Sequence, residues 1–194
     1  GNFGHALLIA GSNYKMGAAQ LCIHASLRAG TGLVSAIVPQ QGRAIIQTTL
    51  PEAMLHGTED HISTLTDFSP YSAIGIGPGL EKNAEQTQGI KILIQEFKGR
   101  IVFDADALNI LAENKTWLSF LPANSILTPH PKEFERLCGK WSNSFERLQM
   151  QKDFSLKYNC FIFFKGAYTC ISTPLGNCYF NPTGNAGMAK GGSG

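Results

Sequence analysis

The chain has 194 residues, of which 43% are hydrophobic and 15% are charged. This composition is enough to bury one large hydrophobic core and predicts a globular protein with one large domain. Sixteen Lys and Arg residues against fourteen Asp and Glu give a formal net charge of +2, and no basic stretch alternates with aromatic residues. The charge gives no indication of a nucleic-acid or membrane partner and favours a small-molecule ligand.

Cysteine usage predicts a reducing compartment. The five cysteines are odd in number, widely spaced and without a C-x-x-C pair, which argues against both a disulfide framework and a zinc site. The apolar runs are too short to cross a bilayer, and the first residues lack the pattern of a signal peptide. We therefore expect a cytoplasmic location.

Along the first two thirds of the chain, apolar runs alternate with segments of helical spacing. The predicted strands are 6–10, 33–38, 72–76, 100–103 and 125–127, and the predicted helices are 17–29, 41–48, 84–97, 107–113, 132–138 and 145–158. Such alternation is typical of a mainly parallel sheet with helices on both faces.

The last third of the chain is rich in β-forming residues. The runs 161–164, 168–173 and 178–180 are separated by the turn segments 165–167 and 174–177. This spacing predicts hairpin strands at one edge of the sheet.

Polar or Gly-rich residues follow five of the predicted strands. Ligands of open α/β sheets bind beyond the carboxyl ends of the strands, so these segments together predict a binding site. They are Gly11-Ser12, Gly77-Pro78-Gly79, Asp104 to Asn109, Thr128 to Glu133 and Lys165 to Thr169.

The closing segment, Gly184 to Gly194, is the most informative part of the sequence. Its glycines and Ser193 predict a loop that presents backbone N–H groups to an anion such as phosphate, completed by the N-terminus of a following helix. The sequence stops before such a helix, so we expect a domain that is incomplete at its C-terminus. A flexible linker is the alternative interpretation of residues 191–194.

Eight ordered motifs resemble the carbohydrate-kinase-like dehydratase domain of the NAD(P)H-hydrate repair system, a branch of the ribokinase-like fold. The resemblance implies a three-layer α/β/α fold with a mainly parallel central sheet and a β-rich edge hairpin. The motifs are 4–12 with 17–19, then 28–34, 51–54, 77–80, 104–109, 128–133, 165–167 and 184–194.

The resemblance also implies a reaction. Members of this family dehydrate the hydrated, damaged forms of NADH and NADPH through a phosphorylated intermediate, with ADP or ATP as phosphate donor and Mg²⁺ carried on the nucleotide. In the family the closing motif continues into an aspartate, the general base. This sequence ends at Gly194, so we predict no catalytic residue and no direct metal ligand within it, and we expect the 194-residue chain by itself to be inactive.

The site residues implied by the resemblance fall into two groups. By resemblance, Ala18, Gly79 and His130 line the pocket for the hydrated nicotinamide nucleotide. Asp106 and Asn109 lie one helical turn apart at a strand end, and from that position they could orient substrate, phosphate or hydrated magnesium. The residues expected to meet the phosphate-donor nucleotide are Lys165, Gly166, Ala167, Tyr168, Thr169, Gly191, Gly192, Ser193 and Gly194.

Ordinary structural roles compete with these assignments. His130 lies between Pro129 and Pro131, which predicts a rigid extended turn that points a ring nitrogen at a ligand. Asp104 or Asp106 could instead cap the following helix, and Glu133 could be a favourable charge at a helix start. Lys165 binds phosphate in one interpretation and caps the sheet in the other.

Two alternative functions stay open at this point. The first is a small-molecule kinase of the same fold acting on a vitamin precursor, and the second is a nucleotide-binding fragment without catalysis. The resemblance also implies a homo-oligomer, often a tetramer, and an epimerase domain upstream in the parent protein. No residue indicates a preference for ADP or ATP.

Overall fold

A computed structural model describes residues 3–56 and 67–192. The strands are β1 (His5–Ile9), β2 (Leu33–Ile37), β3 (Met54–Leu55), β4 (Ala73–Ile76), β5 (Arg100–Phe103), β6 (Ile126–Leu127), β7 (Phe161–Phe164), β8 (Thr169–Ser172) and β9 (Cys178–Asn181). The helices are α1 (Met16–Arg28), α2 (Arg43–Thr49), α3 (Ala84–Glu96), α4 (Ala105–Glu113), α5 (Pro131–Cys138) and α6 (Ser144–Tyr158). Short 3₁₀ segments cover Gln40–Gly42, Lys115–Phe120 and Ala186–Met188.

The described strands form a single sheet in the order β3-β2-β1-β4-β5-β6-β7-β8-β9. Strands β1 to β7 are parallel to one another. β8 is antiparallel to β7 and forms an antiparallel hairpin with β9. The strand order reverses direction at β1, which lies between β2 and β4. A reversal of this kind opens a crevice at the carboxyl ends of the strands.

One face of the sheet carries the main hydrophobic core. Alternate residues of the strands, among them Leu7, Ile74 and Phe103, are fully buried there. They pack in one cluster with apolar residues of α3, α4, α5 and α6, such as Leu93 and Phe134. This burial pattern explains the alternation of apolar residues along the strands.

The opposite face is covered by α1 and α2 at one side of the sheet. Ala19 and Ile23 of α1 and Ile46 of α2 pack against Val34 and Ala36 of β2 in a second cluster. Helices therefore lie on both faces, as the sequence predicts.

Beyond β1, the described residues leave part of the same face uncovered. A row of residues that pair across the sheet is only half-buried there, running from Leu8 through Gly75 and Val102 to Ile126 and Phe161. Leu8, Gly75 and Val102 of this strip line a cavity of about 640 Å³ that α1 borders on one side. Ile126 and Phe161 line a separate cavity of about 300 Å³.

Helix α6 fixes the edge hairpin to the parallel part of the sheet. The buried amide of Gln151 donates to the carbonyl oxygens of Ile162 and Cys170 at 3.3 and 2.9 Å. The hydroxyls of Ser155 and Ser172 lie 2.6 Å apart. These bonds hold β7 against β8, and so they fix both ends of the segment 165–168 that joins the two strands.

The sequence predictions agree with the structure for the fold class and for most elements. They miss β3 and the 3₁₀ segment Lys115–Phe120, and they begin α4 two residues late. The two-residue β3 is too short to show a period in the sequence. Within the described residues, no helix combines the length and apolar character needed to span a membrane.

Candidate functional site

The carboxyl ends of the central strands are tied together by backbone hydrogen bonds. Each strand end donates an N–H to the carbonyl of its neighbour at 3.0 to 3.1 Å: Gly77 to Ile9, Asp104 to Ile76 and Thr128 to Phe103. Lys165 donates in the same way to Pro129 at 2.9 Å. The five polar or Gly-rich segments predicted from the sequence therefore lie along one edge of the sheet.

Three of the predicted substrate residues meet at the end of β1 and β4. Gly79 has a φ of +67°, and a Cβ atom there would lie 2.9 Å from the Cβ of Ala18 and 3.0 Å from the carbonyl oxygen of Lys15. Asp106 accepts the N–H of Glu81 at 2.9 Å, and its carboxylate lies 3.7 Å from the Lys15 ammonium. Ala18, Gly79 and Asp106 thus belong to one small region, with glycine required at position 79 by its φ and by its close neighbours.

Asn109, one helical turn beyond Asp106, lies in a different environment. Its side-chain oxygen accepts a hydrogen bond from Arg136 of α5 at 2.7 Å. Both side chains line a separate polar cavity of about 510 Å³ with Lys82 and Lys115. The described structure therefore does not bring Asn109 together with Ala18 and Gly79.

His130 caps helix α5. Its ring Nδ1 accepts the backbone N–H groups of Lys132 and Glu133 at 3.1 and 3.3 Å. In return, the Glu133 carboxylate accepts the backbone N–H of His130 at 2.9 Å and lies 3.2 Å from its Nε2. This reciprocal capping box, with Pro131 at the first helical position, explains why the helix begins here.

The capping box engages one nitrogen of the His130 ring. Because Nδ1 accepts hydrogen bonds, the proton of the neutral ring is on Nε2, which lies 3.2 Å from a Glu133 carboxylate oxygen. Nδ1 is thus held by the helix itself. Nearly half of the side chain, 45%, is nevertheless exposed, so the ring can still contact a ligand. Glu133, 5% exposed, has the helix-start role that the sequence left open.

Asp104, Thr128 and Lys165 form a network across the ends of β5, β6 and β7. The Lys165 ammonium donates to Asp104 Oδ1 at 2.7 Å, and the Thr128 hydroxyl donates to the same oxygen at 2.8 Å. Of the two aspartates, Asp104 holds the helix N-cap position, but no side-chain capping bond to α4 is found within the described residues. The network lines one end of the 640 Å³ cavity over the sheet.

A groove of about 630 Å³ lies between the loop 165–169 and the segment 181–189. Gly184 touches this loop so closely that a Cβ atom there would lie 2.4 Å from the carbonyl oxygen of Ala167. Tyr168 is 69% exposed at the groove. The structure therefore brings the predicted nucleotide residues Lys165 to Thr169 together with the start of the Gly-rich closing segment.

The rest of the closing segment continues towards α1. A Cβ atom at Gly192 would lie 3.1 Å from a methyl group of Leu21, and Gly191 has open space around it. The predicted nucleotide residues Ser193 and Gly194 lie outside the described residues.

The cysteines of the described segments are buried or half-buried. All five lie in the described segments as free thiols. Burial, reinforced by the Asp104 carboxylate, raises the pKa of Cys22 to about 11, and burial raises the pKa of Cys160 to about 12. Both thiols therefore stay protonated near neutral pH.

Sequence reasoning missed two charged residues and one ion pair in this region. Lys15 precedes α1 without belonging to a recognisable motif, and Arg136 has only the spacing of an exposed helix residue. The ion pair joins Asp104 and Lys165, which are 61 positions apart. A preference of Asp104 for an N-cap is the only local signal it carries, and that signal predicts a different role.

The fold and the position of the site define a class: an α/β protein with its ligand residues at the carboxyl ends of a mainly parallel sheet. The sequence profile described as NAD(P)H-hydrate dehydratase matches residues 6–194. The chain belongs to this family, whose fold is ribokinase-like.

Relatives and solved structures support the assignment. The chain is 36% identical to a bifunctional NAD(P)H-hydrate repair enzyme of Moorella thermoacetica over all of its own length and 39% of the relative's. It is 34% identical to the ADP-dependent (S)-NAD(P)H-hydrate dehydratase of Bacillus subtilis over 100% of the chain and 69% of the relative. The chain thus spans about two fifths of the bifunctional relative.

Among solved structures, the Bacillus subtilis ADP/ATP-dependent NAD(P)H-hydrate dehydratase co-crystallised with ATP and Mg²⁺ matches with a TM-score of 0.82 and 31% identity. That match covers 98% of this chain and 68% of the other. A ribokinase-like protein of Enterococcus faecalis matches with a TM-score of 0.85 and 27% identity, over 98% of this chain and 67% of the other.

Proposed function

We propose that the protein dehydrates hydrated NADH and NADPH to the normal cofactors, with ADP or ATP as phosphate donor. The observation that carries this proposal is the groove between 165–169 and 181–189, which begins at Lys165, on the same carboxyl edge of the sheet as Ala18, Gly79 and Asp106. Family membership supports it. The adjacency suits a reaction in which a phosphoryl group passes from one ligand to another.

Each part of the site has a proposed task. Lys165 and the backbone N–H groups of 166–169 and 191–194 bind the phosphates of the nucleotide and stabilise the charge that develops during transfer. Ala18 and Gly79 leave room for the hydrated ring, and Asp106 and His130 contact the substrate. Asn109 is also assigned to substrate binding, because it lines the neighbouring polar cavity.

Magnesium enters this proposal with the nucleotide. No group of three or more potential metal ligands exists among residues 3–56 and 67–192, and Asp104 and Asp106 are paired with lysines. This arrangement fits Mg²⁺ that is held mainly by phosphate oxygens and water. When bound, it would offset phosphate charge. We assign no general base to residues 1–194; the family resemblance places it directly after Gly194.

The nucleotide requirement is the first prediction. In protein expressed from the complete gene, we expect conversion of hydrated NADH to NADH only when ADP or ATP and magnesium are present, because phosphorylation turns the hydroxyl into a leaving group. The measurement is absorbance of the reduced nicotinamide, with each component omitted in turn. Equal rates without nucleotide would contradict the mechanism, and turnover of vitamin alcohols instead of the hydrate would favour a small-molecule kinase.

Replacement of His130 is the second prediction. We expect His130→Ala to weaken hydrate binding by about 1–3 kcal/mol and nucleotide binding much less, as measured by calorimetric titration. The same change removes the cap of α5 and should cost about 1 kcal/mol of stability. His130→Asn is the matched control, because asparagine keeps a capping oxygen while the imidazole is lost. Unchanged hydrate affinity in both variants would leave His130 with its capping role only.

The setting of the protein is also a proposal. We propose one ribokinase-like domain over residues 1–194, in a cytoplasmic homo-oligomer, a tetramer, with an epimerase domain upstream in the parent protein. The five free thiols support a reducing compartment. Sequencing of the complete gene and analytical ultracentrifugation of its product test these points.

A further inference from the structure

We propose that Asp104 is a positioning residue that fixes the Lys165 ammonium at the wall of the nucleotide groove. The inference rests on the function proposed above, in which Lys165 contacts a phosphate of the nucleotide. Asp104 itself does not touch the nucleotide in this scheme. It acts through the lysine.

The contact between the two residues is short and partly shielded from water. Asp104 Oδ1 lies 2.7 Å from Lys165 Nζ, with the two side chains 21% and 30% exposed. The Thr128 hydroxyl donates to the same oxygen at 2.8 Å and so orients the carboxylate. A lysine has a flexible four-carbon stem, so a fixed partner of this kind decides where its charge lies.

Asp104 makes this contact instead of the capping bonds that are usual at its position, and the backbone next to it is strained. An aspartate at a helix N-cap normally accepts N–H groups of its own helix, yet Asp104 makes no such side-chain bond within the described part of the chain. The next residue, Ala105, has a φ of +47°, a conformation unfavourable for residues with a Cβ atom. Departures from local preference are typical of residues placed for function.

The position of Lys165 allows an oriented ammonium group to reach a ligand in the groove. It lines both the groove between 165–169 and 181–189 and the cavity over the sheet. Its ammonium has three donors. With one N–H directed to Asp104, the remaining N–H groups have defined directions and can meet phosphate oxygens in the groove.

The test is Asp104→Asn in the protein expressed from the complete gene. This change keeps the size of the side chain and removes its charge. We expect the Kd for ADP, measured by calorimetry, and the KM for the nucleotide each to rise about tenfold, with the KM for the hydrate unchanged. A purely structural ion pair would instead lower the Tm and leave nucleotide binding unchanged.

A double-mutant cycle makes the test specific. If Asp104 acts through Lys165, Lys165→Met alone weakens ADP binding, and adding Asp104→Asn to it causes no further loss. The exposed contact of Gln149 with Asp153 on α6 is the control, since Gln149→Met and Asp153→Asn remove a side-chain pair outside the groove and should not change ADP binding. Additive losses for Asp104 and Lys165 would overturn the proposal.

The outcomes separate this inference from the function on which it rests. Wild-type protein that binds neither ADP nor ATP would overturn both. Wild-type protein that binds ADP no better than Asp104→Asn protein would overturn only the role of Asp104. If the asparagine variant fails to fold, Asp104→Glu decides: its displaced carboxylate should weaken ADP binding, and wild-type affinity in that variant would contradict the proposal.

Discussion

Gly77→Ala is expected to destabilise the protein by about 3 kcal/mol or more and to abolish activity. Gly77 has a φ of +127°, and a Cβ atom there would lie 1.8 Å from the Asp104 carbonyl oxygen and 2.8 Å from the Ala107 Cβ. The strain at such a φ and the overlap with rigid backbone both oppose the substitution. The change would push α4 away from the end of β4 and displace Asp104 from Lys165.

Denaturant unfolding measures this effect, with Gly17→Ala as the matched control. Gly17 lies in α1 with no atom within 4 Å of the position a Cβ would take. There alanine should raise the free energy of unfolding by up to about 1 kcal/mol, because it is the better helix former. Equal unfolding midpoints for Gly77→Ala and wild-type protein would show that the strand ends are less rigid than described.

Phe134→Ala is expected to cost about 3–5 kcal/mol of stability. Phe134 is fully buried, and its ring lies 5.6 Å from that of Phe164, 5.9 Å from Trp141 and 6.1 Å from Phe154. Removal of the ring leaves a cavity between α5, α6 and β7 that these large side chains cannot close.

The measurement is thermal or denaturant unfolding, with Phe145→Ala as control. Phe145 is 86% exposed on α6, so its removal should change stability by no more than about 0.5 kcal/mol. Since α5 also carries the capping box of His130, the Phe134 variant should bind the hydrate less tightly even where it remains folded. Similar losses for both phenylalanines would contradict the described core.

Each variant removes a contact that holds one part of the site in place. Gly77 allows the end of β4 to approach the backbone at the start of α4, and this close contact positions the residues at the end of β5. Phe134 anchors α5, whose first turn carries His130 and Glu133. The site therefore depends on rigid elements from both sides, as the proposed phosphoryl transfer between two held ligands requires.

The candidate site was predictable in its location and less so in its contacts. Segments such as 77–79 and 165–169 could be placed together from sequence, because the carboxyl ends of parallel strands share one edge. The hydrogen-bond partners of the individual side chains could not be predicted from the sequence. Asn109 bonds Arg136, and Nδ1 of His130 caps its own helix.

The sequence by itself determined the helices and the alternation of strands and helices. Helices α3 and α6 were predicted at 84–97 and 145–158 and are found at Ala84–Glu96 and Ser144–Tyr158. Their boundaries depend on local signals, since Asn83 and Asn143 cap them with side-chain oxygens. Apolar periodicity is equally local, so it can be interpreted without knowledge of the rest of the chain.

Only the tertiary structure decided the strand β3, the uncovered strip from Leu8 to Phe161 and the pair of Asp104 with Lys165. β3 exists because β2 offers Met54 and Leu55 a partner. The strip follows from which helices reach which face of the sheet. Asp104 keeps the N-cap position of α4, but its carboxylate bonds a lysine 61 residues away at 2.7 Å instead of the helix N–H groups. A hydrogen bond to a charged partner outweighs the local capping preference of the aspartate.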